Sequence, residues 1–189
     1  MSKVVFNLSV SLDGYLTAGH QTAAEPLGEN VEFLHEWAFN GGPQNEAYIK
    51  AMIASAGALI CGRTTYDHSL PFWDHNGPTP TGLPLFVVTH RPLTRTGGVY
   101  HASSSIADAV KQAKVAAGNK DVSLMGGGNL ARQAIAEGFV DEIELHIVPI
   151  LFGGGTRLFD ALPKQIKLKP TTMLDTPLAR HIGYRVLRQ

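Results

Sequence analysis

Apolar and polar positions follow two different periods along this chain, and the switches between them mark out its elements. Val4 to Val10 reads as a strand ended by the turn pair Asp13-Gly14. Thr17 to Gly28 reads as a long mobile loop. Asn30 to Phe39 reads as a helix, with Val31, Leu34 and Trp37 at helical spacing, broken by Gly41-Gly42-Pro43. Asn45 to Ala56 puts Ile49, Met52 and Ile53 on one helical face, with Gly57 as its stop. Three short apolar runs, Ala58 to Cys61, Leu83 to Thr89 and Val122 to Met125, read as strands buried on both faces. Ser105-x-x-Asp108 resembles a capping box and opens a helix that stops at Gly118, and Asn129 to Glu137 is a helix capped by Gly138. Glu142 to Val148, Ile166 to Met173 and His181 to Leu187 complete the strands. Strands alternate with helices first and dominate the end, so the pattern predicts an α/β fold: a mixed, mainly parallel sheet flanked by helices, with antiparallel C-terminal strands.

Composition narrows the function classes. The 189 residues fit one domain, 1–189, with 44% apolar residues available for a core. Sixteen basic residues balance sixteen acidic ones, which gives no broad footprint for nucleic acid or anionic lipid. No stretch approaches the roughly 18 apolar residues that span a bilayer, and the N-terminus lacks a signal-peptide pattern, so a cytoplasmic location is expected. Cys61, the one cysteine, lies in the apolar run ALIC and reads as a small buried side chain. The eight histidines show no pair at metal-ligand spacing, and no metal is expected.

Candidate chemistry sits where strands end. At ALICGRTTYD a buried strand ends at Gly62, and Arg63, Thr64 and Thr65 open a helix. Helix-start N–H groups, two hydroxyls and a guanidinium suit a phosphate, although an N-cap with a surface arginine would look the same. At VSLMGGGNLARQ, Gly126, Gly127 and Gly128 precede Asn129 and Leu130, letting the backbone approach a pyrophosphate at a helix N-terminus. The order is not GxGxxG, so the ordinary dinucleotide fingerprint is absent. At FVVTHRP a strand ends in Thr89, His90 and Arg91, all able to contact an adenosine 2′-phosphate. Ligands of α/β sheets bind at such carboxyl ends.

GRTTY, VVTHRP, MGGGNL and VPILFGGGTRLFD, in this order and spacing after an opening SLDGY, resemble the dihydrofolate-reductase-like superfamily. The nearest group is the riboflavin-biosynthesis reductase (RibD C-terminal) domains and their stand-alone relatives. The resemblance covers nearly the whole chain. It implies NADPH, with the 2′-phosphate held by Gly62 to Thr65 and Thr89 to Arg91, and the pyrophosphate met by Gly126 to Leu130. It implies a loop beginning at Leu12 to Thr17 that closes over nicotinamide, and a structural role for Gly153-Gly154-Gly155. It also implies a small-molecule substrate and a homodimer.

Two departures matter. No H-x-E with P-C-x-x-C deaminase signature precedes the reductase pattern, and Leu83 stands where dihydrofolate reductases carry a folate-binding arginine. Hydride delivery also requires a proton. By resemblance the donor is a carboxylate on the helix before the GR strand, and Glu46, sixteen residues before Gly62, occupies that place. Burial would raise its pKa and let it donate; a solvated first-turn glutamate is the other reading. Asp13 is the second candidate donor, and an ordinary Asp-Gly turn is its alternative. The expected activity is NADPH-dependent reduction of a small flat heterocycle or a related carbonyl or imine. Its rivals are a non-catalytic NADP- or nucleotide-binding protein of the same fold and a transferase using the same glycine loops.

Overall fold

The computed structural model describes residues 2–22, 24–29, 31–160 and 162–188. Its elements are β1 (Val4–Ser11), α1 (Phe33–Asn40), α2 (Gly42–Ser55), β2 (Ala56–Gly62), α3 (Arg63–Ser69), β3 (Leu85–Val88), β4 (Tyr100–Ser103), α4 (Ile106–Ala117), β5 (Asp121–Met125), α5 (Gly128–Ala136), β6 (Glu142–Val148), β7 (Leu168–Asp175) and β8 (Arg180–Val186). The eight strands are hydrogen-bonded in the order β4-β3-β2-β5-β1-β6-β8-β7. Pairings β4–β3, β3–β2 and β2–β5 are parallel, whereas β8 runs antiparallel to both β6 and β7. This is the α/β fold with antiparallel C-terminal strands that the residue pattern predicts.

The backbone forms two compact units, one of residues 1–6 with 54–141 and one of 7–53 with 142–189. In the first unit, Leu59, Cys61, Tyr66, Leu85, Val87, Leu93 and Tyr100 form a buried cluster. Complete burial of an aliphatic side chain of this kind stabilises by about 1.5–3 kcal/mol. Cys61 is fully buried, and burial pushes its thiol pKa up to about 12, so it serves as an inert core residue. In the second unit, Leu34, Trp37, Val148 and Ala179 form the corresponding cluster, with Tyr48 and Ile49 of α2 packed on it.

Several boundaries differ from the expected ones. The first helix begins at Phe33, and the expected start at Asn30 lies outside the described residues. The break after the first helix falls at Gly41, its C-cap, and is one residue long, because Gly42 and Pro43 already open α2; proline tolerates the first helical turn, where its missing N–H has no partner to lose. Gly57 is not a helix stop. It lies inside β2, where an added Cβ would come within 2.7 Å of the Ala117 carbonyl oxygen, so it is a close-approach glycine against the end of α4. Residues 100–103 form the strand β4, which the pattern does not predict. Only its two end residues are buried, leaving an apolar signal too short to read.

Candidate functional site

Three strand ends meet in the first unit. Gly62 of β2 is in register with Val88 of β3, and Ile60 with Leu124 of β5, so the residues that follow these strands emerge side by side. The chain leaves β2 for β3 on one side of the sheet and leaves β5 for β6 on the other. That reversal creates the topological switch point at which open α/β sheets place ligands.

The loop after β5 is shaped by two left-handed glycines, Gly126 (φ 65°) and Gly127 (φ 71°). A Cβ on Gly126 would lie 2.6 Å from both Cγ2 and Oγ1 of Thr65, so the loop rests directly on the start of α3. Leu130 of α5 is buried, and an added Cβ on Gly62 would meet it at 3.7 Å. Gly127 provides no side-chain cap to α5, whose first turn therefore presents its N–H groups without a capping side chain. Gly128 is the buried first residue of that helix. Asn129 is exposed, and its Oδ1 accepts from Gln133 Nε2 at 2.7 Å.

The junction after β3 is tied to α3 by Arg63. Its Nε donates to both carboxylate oxygens of Asp67, at 2.7 and 2.8 Å, and its Nη1 donates to the Pro92 carbonyl at 2.9 Å. Nη2 has no protein partner among the described residues. The buried Thr89 hydroxyl accepts the Arg91 N–H at 3.1 Å and contacts the Arg91 carbonyl oxygen at 3.2 Å, so it shapes the 89–91 turn from within. His90 is exposed. Arg91 has a side chain 70% exposed, and its Nη2 lies 3.6 Å from Asp67 Oδ2. Thr64 is exposed and Thr65 half-buried against the glycine loop. Two guanidinium groups thus surround one carboxylate, and the cluster keeps a net positive charge. Asp67 was missed as a site residue, although its i,i+4 spacing from Arg63 on a helix is a readable signal.

These features fit a dinucleotide. Backbone free of side chains adjoins an uncapped helix start, and an exposed cation lies beside the turn after β3. Among the described residues, no group of three or more His, Cys, Asp or Glu is placed to hold a metal ion, and no helix is long and apolar enough to cross a membrane.

The two candidate proton donors lie in the second unit. Asp13 accepts from the Ser11 hydroxyl, from the Gly153 N–H at 2.8 Å and from the Phe152 N–H at 3.2 Å. Desolvation pushes its carboxyl pKa up, but these hydrogen bonds outweigh that effect and hold it below the usual carboxylate range. These bonds favour the ionised carboxylate, which counts against the expectation that Asp13 donates a proton. Its charge instead caps the 152–153 turn. The Leu12 to Thr17 segment is bound to the same region: Leu16 N–H donates to the Thr156 carbonyl at 2.8 Å and Leu158 N–H to the Gly14 carbonyl at 3.0 Å. Gly155 (φ 112°) lies so close that an added Cβ would be 2.1 Å from the Thr17 oxygen.

Glu46 is exposed on α2, not buried as expected of a proton donor there. On α2 the inward positions are Asn45, Tyr48 and Ile49, and Glu46, one residue on from Asn45, falls outside that stripe and is exposed. Asn45 is buried, and its amide nitrogen donates to the Trp37 carbonyl.

Comparison with known proteins bears on the family and the fold. Residues 2–177 match the model of the RibD C-terminal domain family. An uncharacterized protein, YwjB, from Bacillus subtilis (strain 168) is 24% identical over 174 residues, 88% of each chain. A putative riboflavin biosynthesis protein from Shewanella sp. PV-4 superposes with a TM-score of 0.74 at 23% identity over all of both chains. A pyrimidine reductase-like protein from Corynebacterium diphtheriae gives 0.61 at 16% identity, covering 100% of this chain and 93% of the other. A Thermotoga maritima diaminohydroxyphosphoribosylaminopyrimidine deaminase/5-amino-6-(5-phosphoribosylamino)uracil reductase gives 0.65 at 12% identity, covering 98% of this chain but 57% of its own. At these identities the structural matches establish the fold.

Proposed function

Because the chain belongs to the RibD C-terminal domain family, we propose that it is an NADPH-dependent reductase acting on a small flat heterocycle, a pterin or pyrimidine-like ring, or on a related carbonyl or imine. The supporting observation is the convergence of three parallel strand ends on one glycine-lined helix start beside Arg63 and Arg91. Bound NADPH supplies hydride. Gly126, Gly127 and the first turn of α5 would meet the pyrophosphate. Arg91, His90 and the free Nη2 of Arg63 would meet the 2′-phosphate, while Thr89 and Asp67 hold those groups in place. We also place the protein in the cytoplasm as a homodimer, paired through β7. That strand ends the sheet with Leu168 and Met173 exposed, and light scattering tests the pairing.

Neither candidate carboxylate is a buried acid, so the proton reaches the substrate from solvent. The same fact favours one second reading, a nucleotide-binding protein without turnover. Calorimetric titration with NADPH, NADH and ATP, followed by assays of NADPH oxidation with dihydropterins and the riboflavin-pathway pyrimidine, separates the two. The reductase reading expects NADPH to bind at least about tenfold more tightly than NADH, consistent with charged hydrogen bonds to the extra phosphate, and one substrate class to turn over. NADPH preference without turnover supports the binder, and equal affinity for NADPH and NADH overturns the 2′-phosphate assignment.

A further inference from the structure

The second unit contains two histidines, 35 residues apart in sequence, that are each only 1% exposed and hydrogen-bonded to each other, Nδ1 to Nδ1, at 2.8 Å. His146 stands on β6 and His181 on β8, directly paired in the sheet register. Trp37 of α1 lies 4.2 Å from the His146 ring and 4.8 Å from the His181 ring, centroid to centroid. Tyr48 of α2 lies 4.6 Å from His181. The pair is therefore the floor on which both helices sit.

The surrounding bonds determine where its protons lie. Asn7 Nδ2 donates to Glu144 Oε2 at 3.1 Å, a carboxylate that Tyr48 also faces, so the amide orientation is set and Asn7 Oδ1 must accept from His146 Nε2, 3.0 Å away. A neutral His146 then has a bare Nδ1, which accepts the Nδ1–H of His181. His181 is left with Nε2 facing the Thr176 hydroxyl at 3.2 Å. That hydroxyl has a single proton, and it also lies 2.8 Å from the Ala179 carbonyl. While His181 is neutral, Thr176 can serve only one of these two acceptors. Once Nε2 carries a proton, it donates to Thr176 and Thr176 donates to Ala179, and every group is matched. A second proton has no place, because His146 Nδ1 would then face the Nδ1–H of His181.

We propose that the His146–His181 pair is a one-proton device, which takes up a single proton on Nε2 of His181 by way of the half-exposed Thr176 and so couples acidification to the seating of α1 and α2 on β6 and β8. Entry from the other end is blocked, because the Asn7 amide cannot pass a proton along. The charged and titratable groups around the pair are His35 from α1, Tyr48 from α2, Glu144 from β6 through Asn7, Asp175 from β7 and Arg180 from β8. Burial, then the neighbouring His181 and His35, push the His146 pKa down to about 3. Burial lowers His181 as well, but the Asp175 carboxylate opposes it, so His181 is the member that titrates. Both pKa values fall below that of an exposed histidine. Any state in which α1 and α2 loosen therefore binds the proton more tightly, and acid populates that state.

Imidazole nitrogen NMR on the intact chain between pH 8 and 4 tests this without a variant. The expected result is the Nε2–H tautomer for His146 and the Nδ1–H tautomer for His181 at high pH. His181 alone then gains a proton, with a midpoint below 6.5. In W73F, Trp37 fluorescence should fall with the same midpoint, and amide exchange corrected for pH should rise in α1 and α2 but not in α4. T176V removes the acceptor for the new N–H and should lower the midpoint by about one pH unit. Reversed tautomers, simultaneous protonation of both rings, or a neutral His181 down to acid unfolding would overturn the device. An unchanged T176V midpoint would overturn the entry route, and unchanged helix exchange the coupling.

Discussion

Single residues carry the strongest constraints on the proposed cofactor site. Gly126 has no room for a Cβ beside Thr65 and adopts a left-handed backbone, whereas Gly127 shares the backbone strain but has 3.4 Å to its nearest neighbour. Gly126→Ala should therefore weaken NADPH more than Gly127→Ala, and Thr65→Ala should restore part of the Gly126→Ala loss in a double-mutant cycle. Equal losses with no coupling would remove the contact from the account. Arg91→Ala should weaken NADPH about tenfold and leave NADH unchanged. Arg63→Ala should do the same and also lower stability by about 1–2 kcal/mol, since it removes the hydrogen bonds to Asp67 and to the Pro92 carbonyl and leaves Asp67 only the longer contact with Arg91. Urea unfolding of the two variants separates holding the turn from touching the phosphate. Glu46→Gln, at an exposed position, should lower turnover by less than tenfold; a loss of about 10²–10⁴ would return it to the role of donor. The strand-end motifs were legible because each is local. What Arg63 grips was not, because Pro92 lies 29 residues away.

At the scale of elements, α3 and α5, the two helices proposed to meet the cofactor, begin without side-chain caps, and α4 begins with one. Ser105 Oγ accepts the Asp108 N–H at 3.1 Å, the motif expected from sequence, so Ser105→Ala should cost about 1 kcal/mol in thermal unfolding. NADPH should instead slow amide exchange in the first turn of α5 while leaving α4 unchanged. The segment at Leu12 to Thr17, expected to begin a mobile loop, is bound to residues 150–158 through backbone bonds and the Asp13 cap. Asp13→Ala should increase exchange at the Gly153 amide and cost about 1–2 kcal/mol. The composition reading places a loop over Thr17 to Gly28, and local composition says nothing about partners some 140 residues away.

Across the whole molecule, acid stability follows from the buried histidines. For His146 and His181 the pKa is lower in the folded chain than in the unfolded one, so their contribution is complete above about pH 6.5 and is lost as the pH falls below it. For His146 the loss should continue toward pH 3 with a slope of about 1.4 kcal/mol per unit, read from urea midpoints. A midpoint flat between pH 6.5 and 4 would contradict the neutral burial of these rings. The residue pattern by itself determined the α/β class, most of the elements and the strand-end glycines and arginines, because periodicity, turn chemistry and helix starts act over a few neighbouring residues. Only the tertiary structure decided that 100–103 joins the sheet, that Asp13 is an ionised cap, that Glu46 faces solvent and that His146 meets His181. Each of those outcomes depends on which distant segment is packed alongside, and burial and charge at a residue are properties of those neighbours.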